Sequence, residues 1–371
     1  MSRTVYVYSD ELTGYDMGPQ HPMQPIRLTR TTELLSKFGA FDTIETVRPV
    51  QATRAALNRV HHPDYVDAVI EAGMHPRSVS RQNGFGLGTG DNPVFTGMYE
   101  ASALYTGASI QAANAVLEGA DVAINIAGGL HHAHYKRAAG FCVFNDCAAA
   151  IQKLREKFDR VAYVDIDVHH GDGVQELFYG DPAVLTISIH ESGKTLFPGT
   201  GFVGEMGEGA GLGYSVNVPL APNTPDDIWL KAWRSGGLAA LRQFKPQTIV
   251  LQMGTDAHYL DPLAHICLTA QGWLEAVKDV RELGVPIVGI GGGGYNPTTV
   301  PRMWTLAVAE LAGLELPDAT PTNFSYHDQI PFLRDNVELE LSDNERNSAK
   351  LAAEDAVRQI EKDILPLIVI S

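Results

Sequence analysis

The sequence predicts an α/β fold built on a parallel sheet. Three observations carry that expectation. Short apolar runs rich in β-branched residues recur along the chain, stretches with helical periodicity separate them, and several runs end in clusters of ionisable side chains. In an open parallel sheet, ligands gather beyond the carboxyl ends of the strands, where such clusters belong. The length, 371 residues, suits one large domain with a sizeable core.

Taken in order, the strand-like runs are TVYVYS (4–9), TIETV (43–47), DVAINIA (121–127), RVAYVDIDV (160–168), AVLTISIH (183–190), YSVNVPL (214–220), QTIVLQM (247–253) and VPIVGI (285–290). Helical spacing appears near 27–38, 64–73, 94–118, 145–158, 226–243, 269–283 and 298–312. The stretch 94–118 is the longest. No internal repeat or low-complexity tract interrupts the chain. After residue 315, LPDATPTNFSYHDQIPF reads as a surface segment, and DNERNSAKLAAEDAVRQIEKD (343–363) as a charged terminal helix. The expected organisation is a main domain over 1–315 and an appendage over 316–371, its helix packed on the same domain.

Hydrophobic residues make up 44% and charged residues 19%, with a net charge of −16. That balance argues against nucleic acid or an anionic membrane as partner, since both reward basic surfaces. It is compatible with a cationic substrate. Three cysteines (Cys142, Cys147 and Cys267) make no disulfide framework and fit a reducing compartment. The start MSRTVYVYSDE lacks a secretory pattern and no stretch nears 18 apolar residues, so the expected location is cytoplasmic.

The run YVDIDVHHGDG (163–173) carries Asp165, Asp167 and His169 at alternate positions. On a strand these share one face. A polar cluster capping the next helix is the plainer reading, but adjacent buried carboxylates repel and call for a cation. A divalent metal supplies it, and two carboxylates with one imidazole suit zinc or a similar first-row ion. Asp256, after the run QTIVLQM, is the candidate distant ligand. GGLHHAHYK carries His131, His132 and His134 at another strand end, and the doublet His131–His132 offers a general acid and base. Asp165 and Asp172 are candidate partners for it. Gly289-x-Gly291-x-x-Gly294 satisfies a dinucleotide fingerprint, yet no second strand follows with an acidic residue for a ribose. These glycines instead allow a sharp turn that brings Tyr295 into the site, where a phenol can stabilise an oxyanion.

HPMQPIRL (21–28), GGLHHA (128–133), GFCVFND (140–146), VDIDVHHGDGV (164–174), FPGTG (197–201), YSVNVPL (214–220), GTDAHYLDPL (254–263) and GGGGYNP (291–297) stand in the order found in histone deacetylases. The chain resembles that family, the metal-dependent group on the arginase/deacetylase fold, from about residue 3 to 312. Within it the chain is most similar to class I enzymes and the bacterial acetoin utilization deacetylases. The resemblance implies an eight-stranded parallel sheet flanked by helices in three layers, and hydrolysis of N-acetyl-lysine in a protein or peptide to lysine and acetate.

By that resemblance Asp167, His169 and Asp256 bind Zn2+, or Fe2+ in the cell. His131 and His132 are the catalytic pair with Asp165 and Asp172 as partners, and Tyr295 is the oxyanion tyrosine. Phe141 and Phe197 wall the acyl-lysine tunnel, with Gly140 beside them, Leu263 at the rim and Asp91 gripping the substrate backbone. Arg27 matches an arginine of an internal cavity below the metal. Structural K+ or Na+ ions are implied at Asp165, Asp167, His169, Ser188 and Ile189, and at Phe178, Asp181, Val184 and Tyr214. Two departures stand out. Leu130 replaces the tryptophan of many class I members, and AHYLDP is expected to bring His258 and Tyr259 near the rim. The alternatives within the fold are an acetylpolyamine amidohydrolase and a two-manganese ureohydrolase; outside it, a catalytically silent acetyl-lysine binding module.

Overall fold

The computed structural model describes residues 3–78 and 84–369. Met1 and Ser2, which open the stretch read for a leader, lie outside it, as do the last two residues of the expected appendage. Eight strands form one sheet: β1 (Thr4–Val7), β2 (Glu45–Val47), β3 (Val122–Asn125), β4 (Val161–Asp165), β5 (Val184–Glu191), β6 (Ser215–Leu220), β7 (Thr248–Gln252) and β8 (Ile287–Ile290). Their order is β2-β1-β3-β8-β7-β4-β5-β6, and every pairing is parallel. Each run read as a strand contributes one.

Parallel strands need crossover helices, which cover both faces of the sheet. The four central strands, β3, β8, β7 and β4, are accordingly buried along their whole length. One series of packed neighbours runs through the helices Pro63–Met74, Met98–Leu117 and Asp146–Leu154; another runs through Ile26–Lys37, Thr299–Ala312, Ala270–Arg281 and Asp226–Ala232. No helix among the described residues is long and apolar enough to cross a membrane.

Register does the positioning. Asn125 pairs with Ile290, Ile290 with Gln252, Gln252 with Asp165, and Asp165 with Ser188. The four central strands therefore end on one transverse row, and the loops after them leave the sheet at the same level.

One helix differs from expectation, whereas the terminal one begins at Asp343 as read and continues past Gln359 as a π turn over Ile360–Ile364. The helix read over 226–243 is interrupted by a π turn at Trp233–Gly237; the wider turn keeps Trp233 buried with its indole N–H on Asp279 at 3.1 Å. The terminal helix, Asp343–Gln359, opens with a capping box from Ser342 and Glu345. It buries Ala349, Ala353 and Ala356, a stripe of small residues that lets it lie close against the edge strand β6.

The segment between is tied down by Asp335. Its Oδ1 accepts from Nη2 of Arg302 at 2.9 Å. Its Oδ2 lies 3.0 Å from Nε2 of His258 and accepts from the Ala270 amide at 2.7 Å. Burial alone would raise the Asp335 carboxyl, but His258 and then the Ala270 amide hold it down to about 2. Removing one member of such a group strands the others without partners, at about 3–5 kcal/mol. Asp335→Ala is thus expected to lower the unfolding free energy by about that amount at pH 7 in chemical denaturation. A carboxyl depressed on folding stabilises above its unfolded value and ceases to as pH falls through the folded one. The difference between wild type and variant should therefore shrink between pH 4 and 2. A constant gap across that range would be inconsistent with this account.

Candidate active site

The loop after β3 is drawn inward by a buried carboxylate. Asp146, at the start of its helix, accepts from the amides of Gly129 and Leu130 at 3.0 and 2.8 Å and from Ser109 Oγ at 2.6 Å. Leu130 is buried there and packs behind the site. At Gly129, φ is +92° and a side chain would strike the backbone of Gly291 and Gly292 at 2.5 Å. The glycine lets the loops after β3 and β8 touch.

The strand β4 ends at Asp165, although Ile166 and Val168 continue the buried apolar alternation. Side-chain carboxylates take over from sheet partners at this point. The amide of Asp167 donates to Asp165 Oδ1 at 3.1 Å, and that of Val168 to Asp256 Oδ1 at 2.9 Å. Asp165, Asp167 and His169 are consequently not three residues on one strand face. Asp165 turns to His131, whereas Asp167 and His169 meet Asp256.

In that second group, Nδ1 of His169 lies 3.1 Å from Oδ1 of Asp167 and 3.1 Å from Oδ2 of Asp256. One ligand atom from each residue falls within 4.8 Å of the others, and all three side chains are buried. Asp167 Oδ2 is fixed by Gln252 Nε2 at 2.8 Å and the Gly293 amide at 2.7 Å. A Cβ on Gly293 would meet Asp256 Oδ2 at 1.9 Å, so only glycine lets the β8 loop approach so closely. Burial first, and the charge of Asp167 second, push the Asp256 carboxyl up to about 7. Two carboxylates held side by side against such a cost, with an imidazole nitrogen between them, fit a divalent first-row ion.

Nδ1 of His131 lies 2.7 Å from Asp165 Oδ2, which also accepts from the Tyr163 hydroxyl at 2.6 Å. Nδ1 of His132 lies 2.7 Å from Asp172 Oδ1. With both Nδ1–H groups committed, the two Nε2 atoms face each other at 3.0 Å. Burial lowers the pKa of His131, but Asp165 and then Asp167 outweigh it and push it up to about 9. Burial, reinforced by the charge on His131, pulls His132 down to about 4. The doublet splits into a donor and an acceptor. Identical residues with pKa values driven apart are what acid–base chemistry requires.

A cavity of about 210 Å³ opens over this group. It is lined by Asp91, His132, Gly140, Phe141, His169, Leu196, Phe197, Leu263 and Tyr295. Phe197 stands edge-on to His132 and Phe141 edge-on to Tyr295, with ring centroids 5.0 and 5.7 Å apart. The Tyr295 amide is anchored on Asp261 Oδ2 at 2.7 Å. Burial, then Asp256 and Asp167, hold the Tyr295 phenol well above its ordinary pKa, so it remains a proton donor. Arg27 braces the same loop by donating to the carbonyls of Gly292 and Gly294 at 2.9 and 3.0 Å, with its guanidinium over the Trp304 ring.

The remaining sequence candidates fall elsewhere. Ser188 and Ile189 lie on β5 next to Asp165, with Ser188 Oγ 2.7 Å from His190 Nδ1. Phe178, Asp181, Val184 and Tyr214 gather at the amino end of β5, where the carbonyls of Phe178, Asp181 and Tyr214 already accept backbone bonds. The expectation that His258 nears the rim does not hold. His258 is buried and faces Asp335, because that carboxylate and Arg302 offer it partners beneath the loop. Tyr259 packs on its ring.

Five contributors escape the sequence reading. Gln252 and Asp261 orient Asp167 and Tyr295, and Leu196 lines the cavity. Tyr15 donates to the Phe141 carbonyl at 2.7 Å, and His21 packs edge-on against the Phe141 ring. Asp261 lies within GTDAHYLDPL, His21 opens HPMQPIRL and Leu196 adjoins FPGTG, so each stands in or beside a local signal; Tyr15, more than a hundred residues from Phe141, carries none.

Comparison with known proteins agrees with this geometry. Residues 21–311 match the histone deacetylase domain. The acetoin utilization protein AcuC of Bacillus subtilis is 42% identical over 323 residues, covering 85% of this chain and 84% of the relative. Histone deacetylase clr6 of Schizosaccharomyces pombe is 36% identical over 345 residues, covering 92% and 84%. A solved histone deacetylase homolog from Aquifex aeolicus superposes with a TM-score of 0.85 at 32% identity, covering 95% of this chain and all (100%) of that one. A buried Asp–His–Asp cluster, a histidine doublet and an eight-stranded sheet thus coincide with whole-length similarity, and the chain belongs to the histone deacetylase family.

Proposed function

We propose that the protein is a zinc-dependent lysine deacetylase that removes acetyl groups from N-ε-acetyl-lysine in proteins or peptides and releases acetate. One observation carries the reading. The trio Asp167, His169 and Asp256 and the histidine pair lie together beside a cavity of about 210 Å³ lined by Phe141, Phe197 and Tyr295.

Asp167, His169 and Asp256 would hold the ion, zinc in the purified enzyme or ferrous iron in the cell. When bound it supplies a Lewis acid for the amide carbonyl and an activated water. The chain's own groups do the rest. His132, neutral at Nε2, takes a proton from the attacking water, while Asp172 fixes its tautomer. His131, held by Asp165, faces His132 across the paired Nε2 atoms and orients it. The Tyr295 hydroxyl donates to the acyl oxygen as negative charge develops there. The proton held at His132 passes to the departing lysine nitrogen, and the acetic acid so formed gives its remaining proton to the free amine, leaving acetate and a lysine ammonium. Phe141 and Phe197 sandwich the methylene stem, Gly140 leaves room between them, Leu263 forms an apolar rim, and Asp91 accepts from substrate backbone amides. K+ or Na+ at Asp165, Asp167, His169, Ser188 and Ile189 would offset the crowded carboxylates; a second ion at Phe178, Asp181, Val184 and Tyr214 would brace β5.

Acetylated polyamines are the second reading, favoured by Asp91 at the cavity and by the acidic chain. Purified, metal-loaded protein should release acetate from acetyl-lysine peptides with a higher kcat/KM than from acetylputrescine. The reverse ranking would transfer the assignment to polyamines. Two bound metals per chain, or no acetate from either substrate, would remove the deacetylase assignment altogether.

A further inference from the structure

His134 takes no part in the chemistry above, yet it is joined to it. The side chain is buried, and its Nε2 lies 3.2 Å from Oδ2 of Asp172. That is the carboxylate whose other oxygen holds His132. Nδ1 of His134 pairs with Glu176, whose side chain is 48% exposed. Asp172 and Glu176 stand four residues apart on the helix Asp172–Phe178, so one helix face presents both acids to one imidazole.

The other groups around His134 are few. Arg137 is paired with it by a backbone bridge, the His134 amide donating to the Arg137 carbonyl at 2.9 Å. Its Nη2 lies 3.0 Å from His134 Nε2. The ring of His61, kept neutral by burial, touches His134 at its carbonyl and not at its ring. Burial disfavours a charge on His134, but Asp172 and then Glu176 outweigh it and push its pKa up to about 9. An imidazolium donates from both nitrogens, so each acid receives one N–H. Arg137 then adds a second positive charge beside Glu176 rather than a hydrogen bond.

Asp172 and His134 together border a cavity of about 380 Å³ with Arg137, Glu176 and Phe197, and without His134 the Asp172 Oδ2 would lose its imidazole partner there. Water there would compete for the carboxylate and free it to rotate. We propose that His134 is a positioning residue for the reaction, acting through Asp172: clamped between Asp172 and Glu176, it fixes the carboxylate so that Oδ1 stays on His132. The inference deepens the proposed hydrolysis and rests on it.

The test uses the zinc-loaded full chain and an acetyl-lysine peptide. Groups that orient a catalytic partner are worth about 10–100-fold when removed. His134→Ala should lower kcat by about that factor, with KM within about twofold and one metal per chain retained. His134→Lys, whose ammonium still reaches Asp172, should recover most of the loss. Glu176→Gln keeps a folded scaffold should the alanine variant fail to fold, and should lower kcat several-fold at unchanged KM. A wild-type kcat in His134→Ala or Glu176→Gln, or a lysine variant no better than alanine, overturns the inference while leaving the deacetylase reading intact. An inactive wild type overturns both.

Discussion

Asp256→Asn should yield a folded chain that neither retains a divalent ion nor hydrolyses acetyl-lysine above background. Asp256 alone reaches the trio from β7, and its Oδ2 is the oxygen nearest His169 Nδ1 on that side. An amide offers a neutral, weaker donor there, leaving Asp167 and His169 as two ligands from one segment. Activity should fall by on the order of 10³ or more, because most of the rate enhancement of such a hydrolase depends on that ion. A second readout keeps the result interpretable. A ligand that binds only the native state stabilises it, so a chelator should lower the wild-type melting temperature and leave that of Asp256→Asn unchanged. Stoichiometric metal by elemental analysis in the variant would show that the ion sits elsewhere.

Tyr295→Phe tests a separate element of the same site. The phenol is held protonated by burial and by the neighbouring carboxylates, and its main chain is anchored by Asp261 independently of the hydroxyl. The phenylalanine ring can therefore keep its edge-on contact with Phe141. Loss of one oxyanion donor costs about 10²–10³ in kcat. The expected variant binds metal and peptide as the wild type does and turns over 10²–10³ more slowly by the same principle. Hydrolysis at the wild-type rate would strip Tyr295 of its assigned part.

Much of this was legible in the sequence because chemistry and fold coincide at strand ends. The eight apolar runs mark eight strands, and the ionisable clusters after β3, β4, β7 and β8 mark four neighbours in the sheet. The boundaries were less legible. The run 160–168 outlasts β4, which stops at Asp165: the Ile166 amide still reaches the Gln252 carbonyl, but those of Asp167 and Val168 turn to side-chain oxygens of Asp165 and Asp256. Hydrophobicity records burial and cannot distinguish a ladder bond from a carboxylate bond. His258 fails for a related reason. A histidine beside a ligand looks like a rim residue until Asp335, 77 positions later, supplies a buried partner. His134 stands beside the doublet in the sequence with no sign of a role, since its link to Glu176 depends on how one short helix is placed.

The alignment of strand ends on one row, from Asn125 to Asp165, bears on how such a protein can diversify. Each functional loop departs from its own strand, so replacing the Leu263 side chain at the mouth leaves both the pairing beneath it and the Asp261 anchor of Tyr295 untouched. A lineage could exchange one acylated amine for another by editing the mouth alone, with the hydrolytic centre inherited intact.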